Sequence, residues 1–218
     1  MYDETRNIHP NAPQDIYTQI VEDIGDKGWS VTPDFASSAL VAQLRNDIQT
    51  YLQTDAFHRA GVGQGKSFEV NQDIRNDQVK WLEHDLSPAQ NDYLEMLEKL
   101  RLGLNRSLSL GLFSFECHLA VYPAGSFYKK HLDQFRDNNL RTITSILYLN
   151  HDWQAQDGGQ LWLYHNKDDE TLYEVIQPEA GKLVTFISER FPHEVRPTQR
   201  ERMSITGWFR RRDTHAIL

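Results

Sequence analysis

The chain has 218 residues, 39% of them hydrophobic and 11% aromatic, and a formal charge of -8 from 23 Lys and Arg against 31 Asp and Glu. This composition excludes intrinsic disorder and supplies enough apolar side chains for a substantial core. The negative balance argues against nucleic acid or an anionic membrane as a partner, and Arg200, Arg202, Arg210, Arg211 and Arg212 read as a solvated strand end.

Residues 1–12 are polar and read as a loose arm. Pro13 followed by Ile16, Tyr17, Ile20, Val21 and Ile24 has helical spacing, and Gly25 and Gly28 end the run. Trp29 to Val31 reads as a first strand closed by Pro33. From Ser38, an apolar stripe of Leu40, Val41, Leu44, Ile48, Tyr51 and Leu52 predicts a second helix. Residues 61–78, with Gly61, Gly63 and Gly65 leading into Asp73 and Asp77, lack periodicity. They read as a surface loop or a flap over a site. A short strand is expected at Val79 to Leu82. Ser87, Pro88 and Gln90 have the form of an N-cap, an N1 proline and the far member of a capping box, opening a helix with Tyr93, Leu94, Leu97, Leu100 and Leu104 inward.

Beyond residue 109 the period changes to two. Phe113, Phe115, Cys117, Leu119 and Val121 alternate with more polar neighbours. Further strands are predicted at 142–149, 161–164, 173–176, 183–187 and 203–210. Turn residues separate them at Gln156 to Gly159, at Asn166 to Asp169 and at Glu179 to Gly181. A helical half followed by many short antiparallel strands predicts an α+β fold in one domain spanning 1–218. In it, helical support over about 13–109 buttresses a double-stranded β-helix, or jelly roll, over about 110–212. Cys117 is the sole cysteine, so an intrachain disulfide is impossible and a reducing compartment is allowed. Met1-Tyr2-Asp3-Glu4 lacks the basic and apolar regions of a secretory signal, and no apolar run reaches the roughly 20 residues of a membrane span. The expected location is cytoplasmic.

The chemistry centres on residues 122–133, Tyr-Pro-Ala-Gly-Ser-Phe-Tyr-Lys-Lys-His-Leu-Asp. On an extended strand His131 and Asp133 share a face, about 7 Å apart along the backbone. With 9 His and 31 acidic residues, a random chain would hold about one His-x-acid triplet, so the spacing alone is weak. His193 is the candidate third ligand, and Arg202 follows nine residues later. Two imidazoles and a carboxylate on one side of a metal leave its other face open, which suits Fe(II), although zinc accepts the same donors. Arg202 favours iron, because a deep guanidinium calls for an anion such as a carboxylate-bearing cosubstrate. Tyr148 can offer its hydroxyl to that anion. The other histidines read as structural or surface groups, with His165 the one serious rival ligand.

In combination, these residues resemble the 2-oxoglutarate/Fe(II) dioxygenases, and most closely the oxygen-sensing prolyl 4-hydroxylases that act on hypoxia-inducible factor in animals and have bacterial counterparts. Ile74 to Leu82 resembles their substrate-side loop. Tyr148-Leu149-Asn150, Asp152-Trp153 and Gly158-Gly159 resemble their central core, with Pro192 to Val195 and Trp208 completing a likeness over roughly 60–210. The link from Tyr122 to His131 is shorter than in that family. The resemblance implies that His131, Asp133 and His193 hold Fe(II) and that 2-oxoglutarate lies against Arg202 and Tyr148 with Tyr122 lining its pocket. It implies Arg75 and Asp77 at a peptide-covering loop, Asp77 paired with Arg141, and Trp208 beside the metal pocket. The implied reaction consumes O2, hydroxylates C4 of a proline in a protein substrate, and yields succinate and CO2. Ascorbate binding, a translation elongation factor as client and a monomeric state are further implications. The alternatives are the same oxygenase chemistry on another residue or a small molecule, and a non-catalytic jelly-roll binding module.

Overall fold

The computed structural model describes residues 15–62, 69–134, 139–166 and 171–213. The polar arm of 1–12, Pro13, Gly63, Gly65, most of the turn from Asn166 to Asp169, His9 and His215 lie outside the described residues.

Three helices form one layer. Helix α1 spans Ile16–Asp26 and α2 spans Ser38–Gln53, where the Ser37 side chain accepts the Leu40 N–H. Helix α3 spans Pro88–Leu108. Its start has a reciprocal capping box, with Ser87 Oγ accepting from Gln90 N and Gln90 Oε1 accepting from Ser87 N. Two of the donors left without intrahelical partners at the helix start are thus satisfied.

Eleven strands follow or intervene among the described residues: β1 (Trp29–Thr32), β2 (His58–Arg59), β3 (Gln78–Trp81), β4 (Leu112–Tyr122), β5 (Tyr128–His131), β6 (Arg141–Tyr148), β7 (Leu161–Tyr164), β8 (Leu172–Ile176), β9 (Leu183–Ile187), β10 (His193–Val195) and β11 (Arg202–Arg211). They make two antiparallel sheets, one ordered β1-β9-β6-β11-β4-β3-β2 and a smaller one ordered β5-β10-β7-β8. This is the jelly roll backed by helices that a helical half followed by many short period-two segments predicts.

Period two divides the large sheet into two faces. Leu119, Val121, Ile143, Leu147, Ile205 and Phe209 pack with Ile20, Leu44, Ile48, Leu97, Leu100 and Leu104 of the helices. Ala120, Tyr122, Ile146, Tyr148, Val184 and Phe186 point the other way, toward Leu161, Leu163, Ile176 and Val195 of the small sheet. The functional side chains belong to this second interior.

Three strands departed from the sequence reading. β2 and β10 have two and three residues, too few for alternation to register, and β5, Tyr-Lys-Lys-His, has no apolar alternation to read. The segment 122–133 is also not one strand. β4 ends at Tyr122, a turn through Gly125 at φ +86° reverses the chain, and β5 ends at His131. Asp133 therefore lies in a bend just beyond the strand, and this bend, not strand alternation, sets its carboxylate beside His131.

Candidate metal centre and cosubstrate pocket

The floor of the inter-sheet cleft is laid down by strand register. On β11, Arg202, Ser204, Thr206 and Trp208 face inward, opposite Tyr122, Ala120, His118 and Glu116 of β4. On its other side β11 aligns Ser204 with Tyr148, Thr206 with Ile146 and Trp208 with Thr144 of β6. The cleft, about 510 Å3 with its mouth, runs from Arg202 at one end to Trp208 at the other.

Across the cleft, the small sheet sets His131 of β5 directly opposite His193 of β10, with ring centroids 4.3 Å apart. Each imidazole is oriented by a carbonyl, His131 Nδ1 lying 2.7 Å from Lys129 O and His193 Nδ1 3.0 Å from Phe191 O. A carbonyl only accepts, so each Nδ1 carries the proton and each Nε2 presents a lone pair. Both Nε2 atoms lie 3.5 Å from the Asp133 carboxylate, His131 from Oδ1 and His193 from Oδ2. Thr144 donates to Oδ2 at 2.8 Å, and its hydroxyl is 2.9 Å from that of Ser188. Among the described residues, His131, Asp133 and His193 are a group whose ligand atoms all lie within 4.8 Å of one another.

Burial pushes His193 down to about 4, only partly offset by Asp133, so the ring is neutral at neutral pH. Burial opposes ionisation of Asp133 too, but the His193 and His131 rings facing it hold its carboxyl well below the usual range. Two imidazoles and one carboxylate, converging from one side, fit a metal that keeps an open face.

Arg202 is 1% exposed, and no carboxylate among the described residues pairs with it. Its Nε donates to Gly159 O at 2.9 Å, and Nη1 lies 3.5 Å from Ser204 Oγ. Gly159 has φ +66°, and a Cβ there would sit 3.0 Å from Arg202 Cδ, so glycine both permits the turn and clears the guanidinium. The Tyr148 hydroxyl is buried without a hydrogen-bond partner. Burial pushes it up to about 12 against the pull of Arg202, and pushes Tyr122 up further, so both phenols keep their protons. The guanidinium carbon lies 4.9 Å from the Tyr122 ring centroid and 5.0 Å from that of Tyr148. A buried cation and an orphaned hydroxyl side by side fit an anionic ligand.

Arg75 and Asp77 border the other side. The guanidinium grips the carboxylate with two bonds, Nε to Oδ1 at 2.7 Å and Nη2 to Oδ2 at 2.6 Å. The expected pairing of Asp77 with Arg141 is therefore incorrect. Arg141 donates to Glu116 Oε1 at 2.8 Å while Arg210 donates to Oε2 at 2.8 Å, so Arg141 already has its carboxylate. The Arg141 guanidinium covers the Trp208 ring at 3.5 Å, and Trp208 Nε1 is buried without a partner. His165 is exposed and packs on Tyr173, away from the cluster.

Glu116 has no part in the sequence expectations and His118 counts there only as a structural or surface histidine, although both share the inward phase of Tyr122 on β4. His118 is buried between Trp81 and Trp208, and burial with Arg75 and Arg141 nearby pushes it down to about 3. Thr144 and Tyr128 had no sequence signal, since their roles depend on partners set by tertiary packing.

A jelly roll holding two histidines and an aspartate before a buried arginine defines the class of 2-oxoglutarate/Fe(II) oxygenases. Residues 117–210 match the family described as the 2OG-Fe(II) oxygenase superfamily. A Pseudomonas putida prolyl-4-hydroxylase crystal structure is 40% identical, with a TM-score of 0.80 over 90% of this chain and 100% of that one. A prolyl hydroxylase from Trichoplax adhaerens, solved with a hypoxia inducible factor oxygen degradation domain peptide fragment, is 28% identical. Its TM-score is 0.77 over 89% of this chain and 88% of that one. Egl nine homolog 1 of Mus musculus is 29% identical over 197 residues, 87% of this chain and 48% of that protein. The chain spans about half the length of the curated Egl nine homolog 1 relatives it matches. The chain belongs to the 2OG-Fe(II) oxygenase superfamily, and the two structures it is similar to here are prolyl hydroxylases.

Proposed function

We propose that the chain is an Fe(II)- and 2-oxoglutarate-dependent dioxygenase that hydroxylates C4 of a proline in a protein substrate. The observation that carries this reading is the cleft itself, with three convergent ligands facing a buried arginine that lacks a carboxylate partner. The similarity to the Pseudomonas putida prolyl-4-hydroxylase supports the choice of proline.

Bound iron and 2-oxoglutarate would supply the oxidation, in which one atom of O2 enters succinate and the other the hydroxyl, with CO2 released. His131 and His193 present Nε2 lone pairs to the metal because their Nδ1 protons are engaged with carbonyls. Asp133 offers a carboxylate steadied by Thr144. Arg202 and Tyr148 bind the far carboxylate of 2-oxoglutarate, and Tyr122 closes that end of the cleft. A bound cosubstrate would supply the counter-charge that Arg202 lacks among the described residues, and the surrounding apolar walls would keep water away. Trp208 and Arg141 lie at the opposite end, the Arg75–Asp77 pair flanks Tyr128, and a peptide enters over these groups. We extend the proposal to a monomer in the cytoplasm, with an elongation factor as client and ascorbate as accessory ligand. The lone, buried Cys117 is compatible with a reducing compartment.

Cell extract incubated with the protein, Fe(II) and 2-oxoglutarate tests the reading by mass spectrometry. A peptide gaining one oxygen on proline, dependent on all three additions, is the expected result. Oxygen appearing on another residue would overturn the proline assignment, and no succinate above the Asp133→Ala control would overturn the oxygenase assignment.

A further inference from the structure

The two histidines of the metal cluster are held in different ways. His193 is 3% exposed and sits on the central strand β10, with Phe186 packed edge-on at 4.8 Å. His131 lies on β5, at the margin of the small sheet. The outer side of β5 is fastened by residues 71–77. Lys129 donates to Ile74 O at 2.9 Å, Phe127 N donates to Asn76 Oδ1 at 2.8 Å, and Arg75 bridges Tyr128.

The side chains continue this fastening. The Tyr128 ring stacks on the His131 imidazole with centroids 3.5 Å apart and planes 15° from parallel. On Tyr128, in turn, lies the Arg75 guanidinium at 4.1 Å, itself fixed by its two bonds to a fully buried Asp77. Asp77, Arg75, Tyr128 and His131 thus form one continuous column from the peptide side of the cleft to a metal ligand. The Lys129 carbonyl restrains the His131 ring at one atom, and a single hydrogen bond leaves the ring free to rock about it. The flat stack removes that freedom.

We propose that Tyr128 is a positioning residue through which the Arg75–Asp77 pair sets the plane of His131, making metal affinity depend on the state of residues 71–77. This rests on the reading of His131, Asp133 and His193 as metal ligands. By linkage, whatever disturbs the column weakens the metal, and metal binding stiffens the column. The aromatic ring is what matters, not the hydroxyl, so phenylalanine suffices at 128.

Anaerobic titration of the full chain with Co(II), read from its visible bands, tests this alongside the melting temperature of the metal-free protein. Tyr128→Met should bind Co(II) roughly 10–100-fold more weakly, as expected when the support of a ligand is removed. Tyr128→Phe should match the wild type. Arg75→Gln/Asp77→Asn, which retains hydrogen bonding without charge, should weaken Co(II) in the same direction. Combined with Tyr128→Met, it should add nothing, because both act through one ring. The metal-free melting temperature should not follow this order. Wild-type affinity in Tyr128→Met, or a fully additive combined variant, overturns the inference. Failure of the wild type to bind Co(II) would instead overturn the metal reading beneath it.

Discussion

Arg202 and Thr144 govern different ligands of the same cleft. Arg202 has no carboxylate partner among the described residues, so its replacement removes a charge-assisted bond to the cosubstrate rather than an ion pair within the protein. Arg202→Ala should raise the 2-oxoglutarate KM roughly 10–100-fold, from the loss of about 1.5–3 kcal/mol. Steady-state succinate formation checks this, and an unchanged KM would remove Arg202 from that role. Thr144→Val keeps the shape but deletes the donor to Asp133 Oδ2, so metal affinity should fall roughly 10–100-fold. Equilibrium dialysis against Fe(II) under argon measures it. Arg202 is legible in the sequence because arginine on an apolar strand is itself an anomaly. Thr144 is not, since a threonine in Arg141–Tyr148 is an ordinary strand residue until the fold sets Asp133 above it.

At the level of elements, what the sequence shows depends on length. Helix α3 declares itself by its capping box and apolar stripe, and β4 and β11 by ten or more residues of alternation. The pairing of Asp77 was misjudged for a different reason. Charges in sequence do not name their partners, and Arg75, two residues away, reached Asp77 while Glu116 held Arg141. The same limit hid β5 and β10, whose pairing places the two histidines face to face. Leu100 of α3, fully buried in the helix-to-sheet interior, should lose about 2–5 kcal/mol on substitution by Ala. Urea unfolding would show this as a lower midpoint at constant slope, with the metal site still competent. A loss of Fe(II) binding at low urea would mean that the two interiors are less separate than their side chains indicate.

For the whole molecule, the large sheet serves as a partition between a structural interior facing the helices and a functional one facing the small sheet. The second interior contains polar groups that make folding sensitive to acid. His118 has a folded pKa of about 3 against an ordinary 6.5, so its contribution to stability is fully present above pH 6.5 and is lost as pH falls toward 3. By pH 5 about 2 kcal/mol should be gone, since the unfolded chain is protonated there and the buried ring is not. Urea midpoints at pH 7.5 and pH 5 should therefore differ more for the wild type than for His118→Gln. Equal differences would show that His118 does not titrate on unfolding.

The direct test of the metal and cosubstrate assignment is the visible spectrum of the chain under argon during addition of Fe(II) and 2-oxoglutarate. A charge-transfer band should develop only when both are present, be absent in Asp133→Ala, and require far more 2-oxoglutarate in Arg202→Ala. No band in the wild type, or an undiminished band in Asp133→Ala, would contradict the assignment of this cleft.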